Sequence, residues 1–311
     1  RRDSARFIRG TREEDKAVVD RTAFYLFDII ILSYLALVAI LVLVFGRPLG
    51  DYVDELLMNA LLAAVVLGIV YFLPAGRSRV ALFIRLLYPV ILFLFFYEQT
   101  GGLMKLFFPD FLDYQLTSFE KSILGVNPTL WLDRNLINVW LTEILMLTYV
   151  LYYPMIPSYL IMLFVLRRFD LIKKSLTAIC LTFSLSYLLF FLYPIEGPRY
   201  YFATRFGREA AGPVFRSLVN YIMVSSAVHG GCMPSSHVAV ALVIMIFCLK
   251  YFRKIGIVLV PINIGLALST VYGRFHYVSD VVVGAIIGIG VTILTLHYRP
   301  RFDRSGGSAG R

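Results

Sequence analysis

An all-α, polytopic membrane protein is the fold class this sequence predicts, and three observations carry it. Hydrophobic residues fill 59% of the 311 positions and charged residues only 16%, with a mean hydropathy of +0.76, more apolar than a soluble domain tolerates. Apolar runs recur near 23–46, 55–73, 80–97, 142–166, 173–193, 237–251, 255–273 and 278–297, giving about eight transmembrane helices. Most of these runs approach the roughly 20 residues that a bilayer core requires. The basic residues are distributed unevenly over the segments between them.

In chain order, residues 1–21 carry seven Lys/Arg and five Asp/Glu, unlike the short basic region of a cleavable signal, and are expected to form a cytosolic segment. The fourth run contains Pro154 and Pro157, which predict a kink, and the sixth is short at fifteen residues. With a cytosolic start, the inner segments hold 21 of the 30 Lys and Arg residues, as the positive-inside rule demands. Asp28 and Arg85 then fall near inner span ends, where they are expected to snorkel to the interface. Glu98 and Glu143 fall near outer ends. Two long outer connections remain, 98–141 and 194–236; within them 103–139 and 211–228 have the mixed apolar and charged pattern of interfacial amphipathic helices. The tail from Arg301 to Arg311 is rich in Gly, Ser and Arg and is expected to be disordered.

Composition also excludes. The net charge of +10 follows from basic residues gathered where anionic headgroups lie, and no basic, aromatic-interleaved soluble module occurs, so nucleic acid is not an expected partner. The three cysteines, Cys180, Cys232 and Cys248, suggest neither a disulfide framework nor metal spacing; His229 and Cys232, three apart without a second pair, read as loop residues. No metal and no cofactor are expected.

The chemistry concentrates between Gly230 and Asp280. His276 and Asp280 are four apart, so a helix beginning near His276 would lay the carboxylate over the imidazole and leave one ring nitrogen free as nucleophile or base. The duller alternative is a structural histidine at a helix start. His237 follows Pro234-Ser235-Ser236 at the mouth of an apolar run, where hydroxyl residues cap a helix whose first amides suit an anion. The predicted topology puts Arg199, His237, Arg274, His276 and Asp280 on one side of the membrane, at the outer ends of the fifth to eighth spans.

Pro-Ser-Ser-His and Arg274-x-His276-x3-Asp280 resemble the second and third motifs of the type 2 phosphatidic acid phosphatase superfamily, usually written P-S-G-H and S-R-x5-H-x3-D. The resemblance covers about the last two thirds of the chain. Departures exist: Ser269 is followed by Thr270, Gly197-Pro198-Arg199 inverts the R-P of the first motif, and Leu192 stands where its lysine would fall. The phrase from Leu124 to Asp133 also resembles a connection in the inositol phosphorylceramide synthase branch.

The resemblance implies a six-helix catalytic membrane domain over 80–297, two additional transmembrane helices over 23–79, and flanking cytosolic segments 1–22 and 298–311. It implies His276 as the nucleophile that forms a phosphohistidine, Asp280 as its stabilising partner, and His237 as general acid and then base. Arg199, Arg274, Ser235 and Ser236 would bind the phosphate, arginine because its fork matches phosphate oxygens without losing charge. The implied substrate is a membrane lipid phosphate held at the bilayer, with water or a polar alcohol such as inositol as acceptor. An alternative of another class is a lipid-phosphate binding or transport protein without catalysis. The implied setting is a bacterial inner membrane, with cytoplasmic termini and a periplasmic site.

Overall fold

The computed structural model describes residues 24–73, 78–226 and 228–297; the expected cytosolic segment 1–22 and the expected disordered tail 298–311 lie outside the described residues. Among the described residues the chain is helical and has no strand. It opens with α1 (Leu26–Phe45) and α2 (Tyr52–Phe72), followed by α3 (Arg79–Leu103). The connection after α3 carries α4 (Asp113–Leu124) and α5 (Pro128–Asn135), helices within the stretch where the mixed pattern predicts amphipathic ones.

The next span is broken into α6 (Val139–Val150) and α7 (Tyr152–Val165), and the prolines explain the break. Pro154 has no N–H for the Val150 carbonyl, so the α-helical ladder lapses around Leu151. After α8 (Phe169–Leu192), the second outer connection contains the short α9 (Pro198–Tyr201) and then α10 (Phe215–Ser226). The chain closes with α11 (Ser236–Tyr251), α12 (Arg253–Tyr272) and α13 (Val278–His297).

Among the described residues seven segments are long and apolar enough to cross a membrane: α1, α2, α3, the α6–α7 pair, α8, α12 and α13. The protein is an integral membrane protein. The eighth expected span, α11, has 16 residues. At about 1.5 Å per residue it is about 24 Å long, short of a hydrocarbon core of about 30 Å. It can be short because its neighbours enclose it: α11 packs against α7, α8, α12 and α13, with Val240, Ala241, Val243 and Phe247 fully buried.

The approach of α13 to α11 is made possible by two glycines one turn apart. A Cβ on Gly284 would sit 2.4 Å from the Ser235 carbonyl oxygen, and one on Gly288 would sit 2.3 Å from that of Ala239. Small residues at this spacing let two helix backbones touch, which is how helices associate where lipid provides no hydrophobic drive.

Asp28 and Arg85 do not snorkel as expected. They form a forked ion pair, 0% and 2% exposed, in which Arg85 Nη1 donates to Asp28 Oδ1 at 2.7 Å and the Tyr88 hydroxyl also donates to that carboxylate. Two opposite charges facing each other from α1 and α3 satisfy one another more directly than either could by reaching for water, and neither can be lost singly without leaving a buried charge. The pair pins α1, with α2 beside it, onto the rest of the bundle.

Candidate active site

The site is assembled from four loops at one end of the bundle, and carboxylates of the first outer connection hold those loops in place. Asp113 of α4 accepts from the Glu196 and Gly197 amides at 2.8 and 2.9 Å and from the Tyr277 hydroxyl at 2.8 Å. Glu120 accepts from the Ser279 amide at 2.6 Å, in the first turn of α13. Asp133 of α5 accepts from the Gly207 amide at 2.9 Å, and Glu143 of α6 caps α10 by accepting from Phe215 and Arg216 amides at 2.9 and 3.1 Å. Burial pushes the Asp113 carboxyl up, and the two amides and the Tyr277 hydroxyl oppose that shift.

His276 lies in the turn between α12 and α13. The Thr270 carbonyl accepts from the amides of Phe275 and His276 at 2.9 and 3.0 Å and so ends α12 in a tight reversal. The imidazole is 6% exposed, with Nδ1 2.8 Å from the Cys232 carbonyl oxygen. A carbonyl can only accept, so Nδ1 carries the proton and Nε2 keeps its lone pair. Asp280, expected to orient the ring, is the more distant neighbour: its Oδ2 is 3.4 Å from Nδ1 and accepts from the Tyr277 amide at 2.8 Å. The helix starts at Val278, and Asp280 is occupied with its first turn. Burial pushes the His276 imidazole down to about 4, against the opposing bond to Cys232.

His237 sits in the first turn of α11, packed against Tyr149 and Tyr152 with ring centroids 5.4 and 4.6 Å away. Its Nε2 is 3.5 Å from the Tyr149 hydroxyl, and its buried Nδ1 has no hydrogen-bond partner among the described residues. The two imidazoles face each other with centroids 6.1 Å apart.

Both histidines line a cavity of about 450 Å³. Ser236, Glu196, Arg199 and Tyr200 complete its polar end, while Phe93 and Leu94 of α3, Ile156 of α7 and Phe183 of α8 wall the rest. Leu94 is 65% exposed on the outside of the bundle, so the cavity reaches the surface that faces lipid. Gly197 is required where this wall forms: it has φ 101°, and a Cβ there would lie 2.4 Å from Cys232 Sγ.

The remaining predicted residues divide. Ser236 and Arg199 lie on the cavity. Ser235 does not: it is fully buried, caps α11 toward the Val238 amide and donates its own amide to the Asp280 carbonyl at 2.9 Å. Arg274 is also turned away. Expected to keep a helical register with the motif, it instead follows the end of α12 in the left-handed region, with φ 67°. Its guanidinium lies 4.0 Å from the centre of the Phe206 ring, donates to Asp133 at 2.6 Å and also donates to the Arg208 carbonyl. Burial lowers its pKa and Asp133 opposes that. Sequence reasoning missed Glu196, the tyrosine pair around His237 and the acidic braces; the signal for the braces was the recurrence of carboxylates in a connection that is otherwise apolar.

The model of the PAP2 superfamily matches residues 115–294, more than half of the chain and all of the elements just described from α5 to α12. The chain belongs to the PAP2 superfamily. Searches of curated proteins and of solved structures gave no match. Superfamily membership makes this a member of a phosphatase-type phosphoryl-transfer family with a phosphate-bearing substrate, and its seven apolar segments set that chemistry in a membrane.

Proposed function

We propose that the protein transfers a phosphoryl group from a membrane lipid phosphate through a phosphorylated His276, in the catalytic domain of 80–297. One observation carries this: two imidazoles with centroids 6.1 Å apart share one cavity, and the nearer to the loop has its Nδ1 proton bound to a carbonyl. A phosphate in this cavity would need the nucleophile within about 3–3.5 Å of phosphorus and the acid within about 2.6–3.2 Å of the leaving oxygen.

In the first step the His276 Nε2 lone pair forms the N–P bond as the P–O bond to the lipid alcohol breaks, and His237 gives a proton to the departing alkoxide. In the second, neutral His237 takes a proton from the acceptor hydroxyl, whose oxygen forms the new P–O bond as N–P breaks. Arg199 and Ser236 are in position to meet phosphate oxygens, as charge stabilisation by preset donors requires. Asp280, 3.4 Å from Nδ1, opposes the positive charge that the imidazole gains. Ser235 and Arg274 serve by holding the loops. The apolar end of the cavity and its opening beside Leu94 favour a lipid over a soluble phosphate ester. Water or a polar alcohol such as inositol is the acceptor, and the site faces the extracytoplasmic side of a bacterial inner membrane with both termini in the cytoplasm.

The test uses detergent-purified protein with dioctanoyl phosphatidate, with and without inositol. Phosphate release or transfer to inositol should occur in the wild type and fall at least a thousandfold, ~4 kcal/mol of barrier, in His276→Ala. Binding of the lipid phosphate without either product would favour the non-catalytic alternative.

A further inference from the structure

Arg216 is the sole basic residue between Ala211 and Val228, and the helix that carries it, α10, covers the site. Its face toward the bundle repeats through Arg216, buried Val219 and Met223, and Met223 lines the cavity. The Arg216 guanidinium is 5.8 Å from the centre of the Phe275 ring, which is itself a cavity wall directly before His276. Its side-chain contact is weak, Nη1 to Met146 Sδ at 3.8 Å, and its buried Nε has no hydrogen-bond partner among the described residues. Glu143 is committed to the backbone amides of α10, Arg216's own included.

Arginine is rarely buried without an oxygen partner, because its donors cannot be shed by deprotonation. Burial lowers the Arg216 pKa, Arg274 and Arg199 push in the same direction, and Tyr272 and Glu209 oppose the shift. Arg274 has Asp133 to neutralise it, whereas Arg199 and Arg216 have no ion-pair partner among the described residues; Arg199 lines the cavity, and Arg216 lies against its wall at Phe275. An anion between them would satisfy both charges.

We propose that Arg216 binds the substrate phosphate together with Arg199, so that the clamp consists of one arginine from each of α9 and α10 and Arg274 acts as a brace. This rests on the phosphoryl-transfer reading given above and deepens it. The contact comes from the interfacial helix, so the phosphate is gripped from the headgroup side while the lipid chain occupies the apolar end.

Two arms keep this separable from the catalytic mechanism. The first is calorimetric binding of inorganic phosphate to the full chain in detergent, in wild type, Arg216→Met, Arg216→Lys and His276→Ala. Arg216→Met retains the packing on Phe275 and Met146. Loss of a charge-assisted contact predicts phosphate binding roughly ten- to a hundredfold weaker in Arg216→Met. Arg216→Lys should recover part of the affinity, with unchanged melting temperatures. The second arm is the KM for dioctanoyl phosphatidate, expected to rise by a similar factor. Wild-type phosphate affinity in Arg216→Met, or no phosphate binding by the wild type, would overturn the proposal; so would a loss in Arg216→Met accompanied by a lower melting temperature and not recovered in Arg216→Lys, which is the signature of packing. Full turnover in His276→Ala would instead remove the catalytic reading, and the phosphate-binding arm would still judge Arg216.

Discussion

Burial sets the protonation of His276 before any substrate arrives. Its imidazole is pushed down to about 4, below the ~6.5 of a free histidine, so the ring is neutral near pH 7 with Nε2 unprotonated. Because the folded value lies below the unfolded one, the stability linked to the neutral ring is complete above about pH 6.5 and is lost as pH falls through about 4. The wild type should therefore lose stability relative to His276→Gln over that window, by at most ~3 kcal/mol. Melting temperatures of both proteins in detergent measure this, and parallel pH profiles would contradict a neutral buried imidazole. The two histidines were legible in the sequence because P-S-S-H and H-x3-D are local patterns. The Cys232 carbonyl was not, since a backbone acceptor 44 residues away leaves no side-chain trace. Arg274 was misplaced because a helical register was extended past the end of α12, where a left-handed residue redirects the side chain.

Among the elements, α11 and α13 decide whether the site exists, for they carry His237 and Asp280 and meet backbone to backbone at Gly284 and Gly288. Gly284→Leu would drive a side chain into the Ser235 carbonyl and move the turn that begins α11. A loss of about 1–3 kcal/mol is expected from such overpacking, with activity lost alongside it. Gly290→Leu is the control, since a Cβ there meets open space. Equal melting temperatures for the two variants would mean that the contact between these helices is not what positions the turn. Apolar runs made the spans legible as elements. Their arrangement was not legible: nothing in the composition of 237–251 distinguishes a short helix enclosed by others from one that faces lipid. The ion pair of Asp28 and Arg85 was hidden for a related reason, because each residue was placed by depth alone and not against a partner on another helix.

Over the whole molecule, the proposed orientation rests on the charge distribution of the sequence. The positive-inside rule predicts the basic segments on the side opposite the histidines, and the cavity runs from polar residues to exposed Leu94. Thr204 is exposed in the connection that follows α9. In a Cys232→Ser background, Thr204→Cys should react with a membrane-impermeant thiol reagent on intact cells; labelling only after lysis would invert the orientation. The chemistry itself is tested most directly by rapid quenching of the purified protein with a lipid phosphate carrying labelled phosphorus, followed by mapping of the label. An acid-labile phosphate on His276, absent in His276→Ala, is the predicted result. Turnover with no phosphorylated imidazole, or a label on another residue, would contradict it.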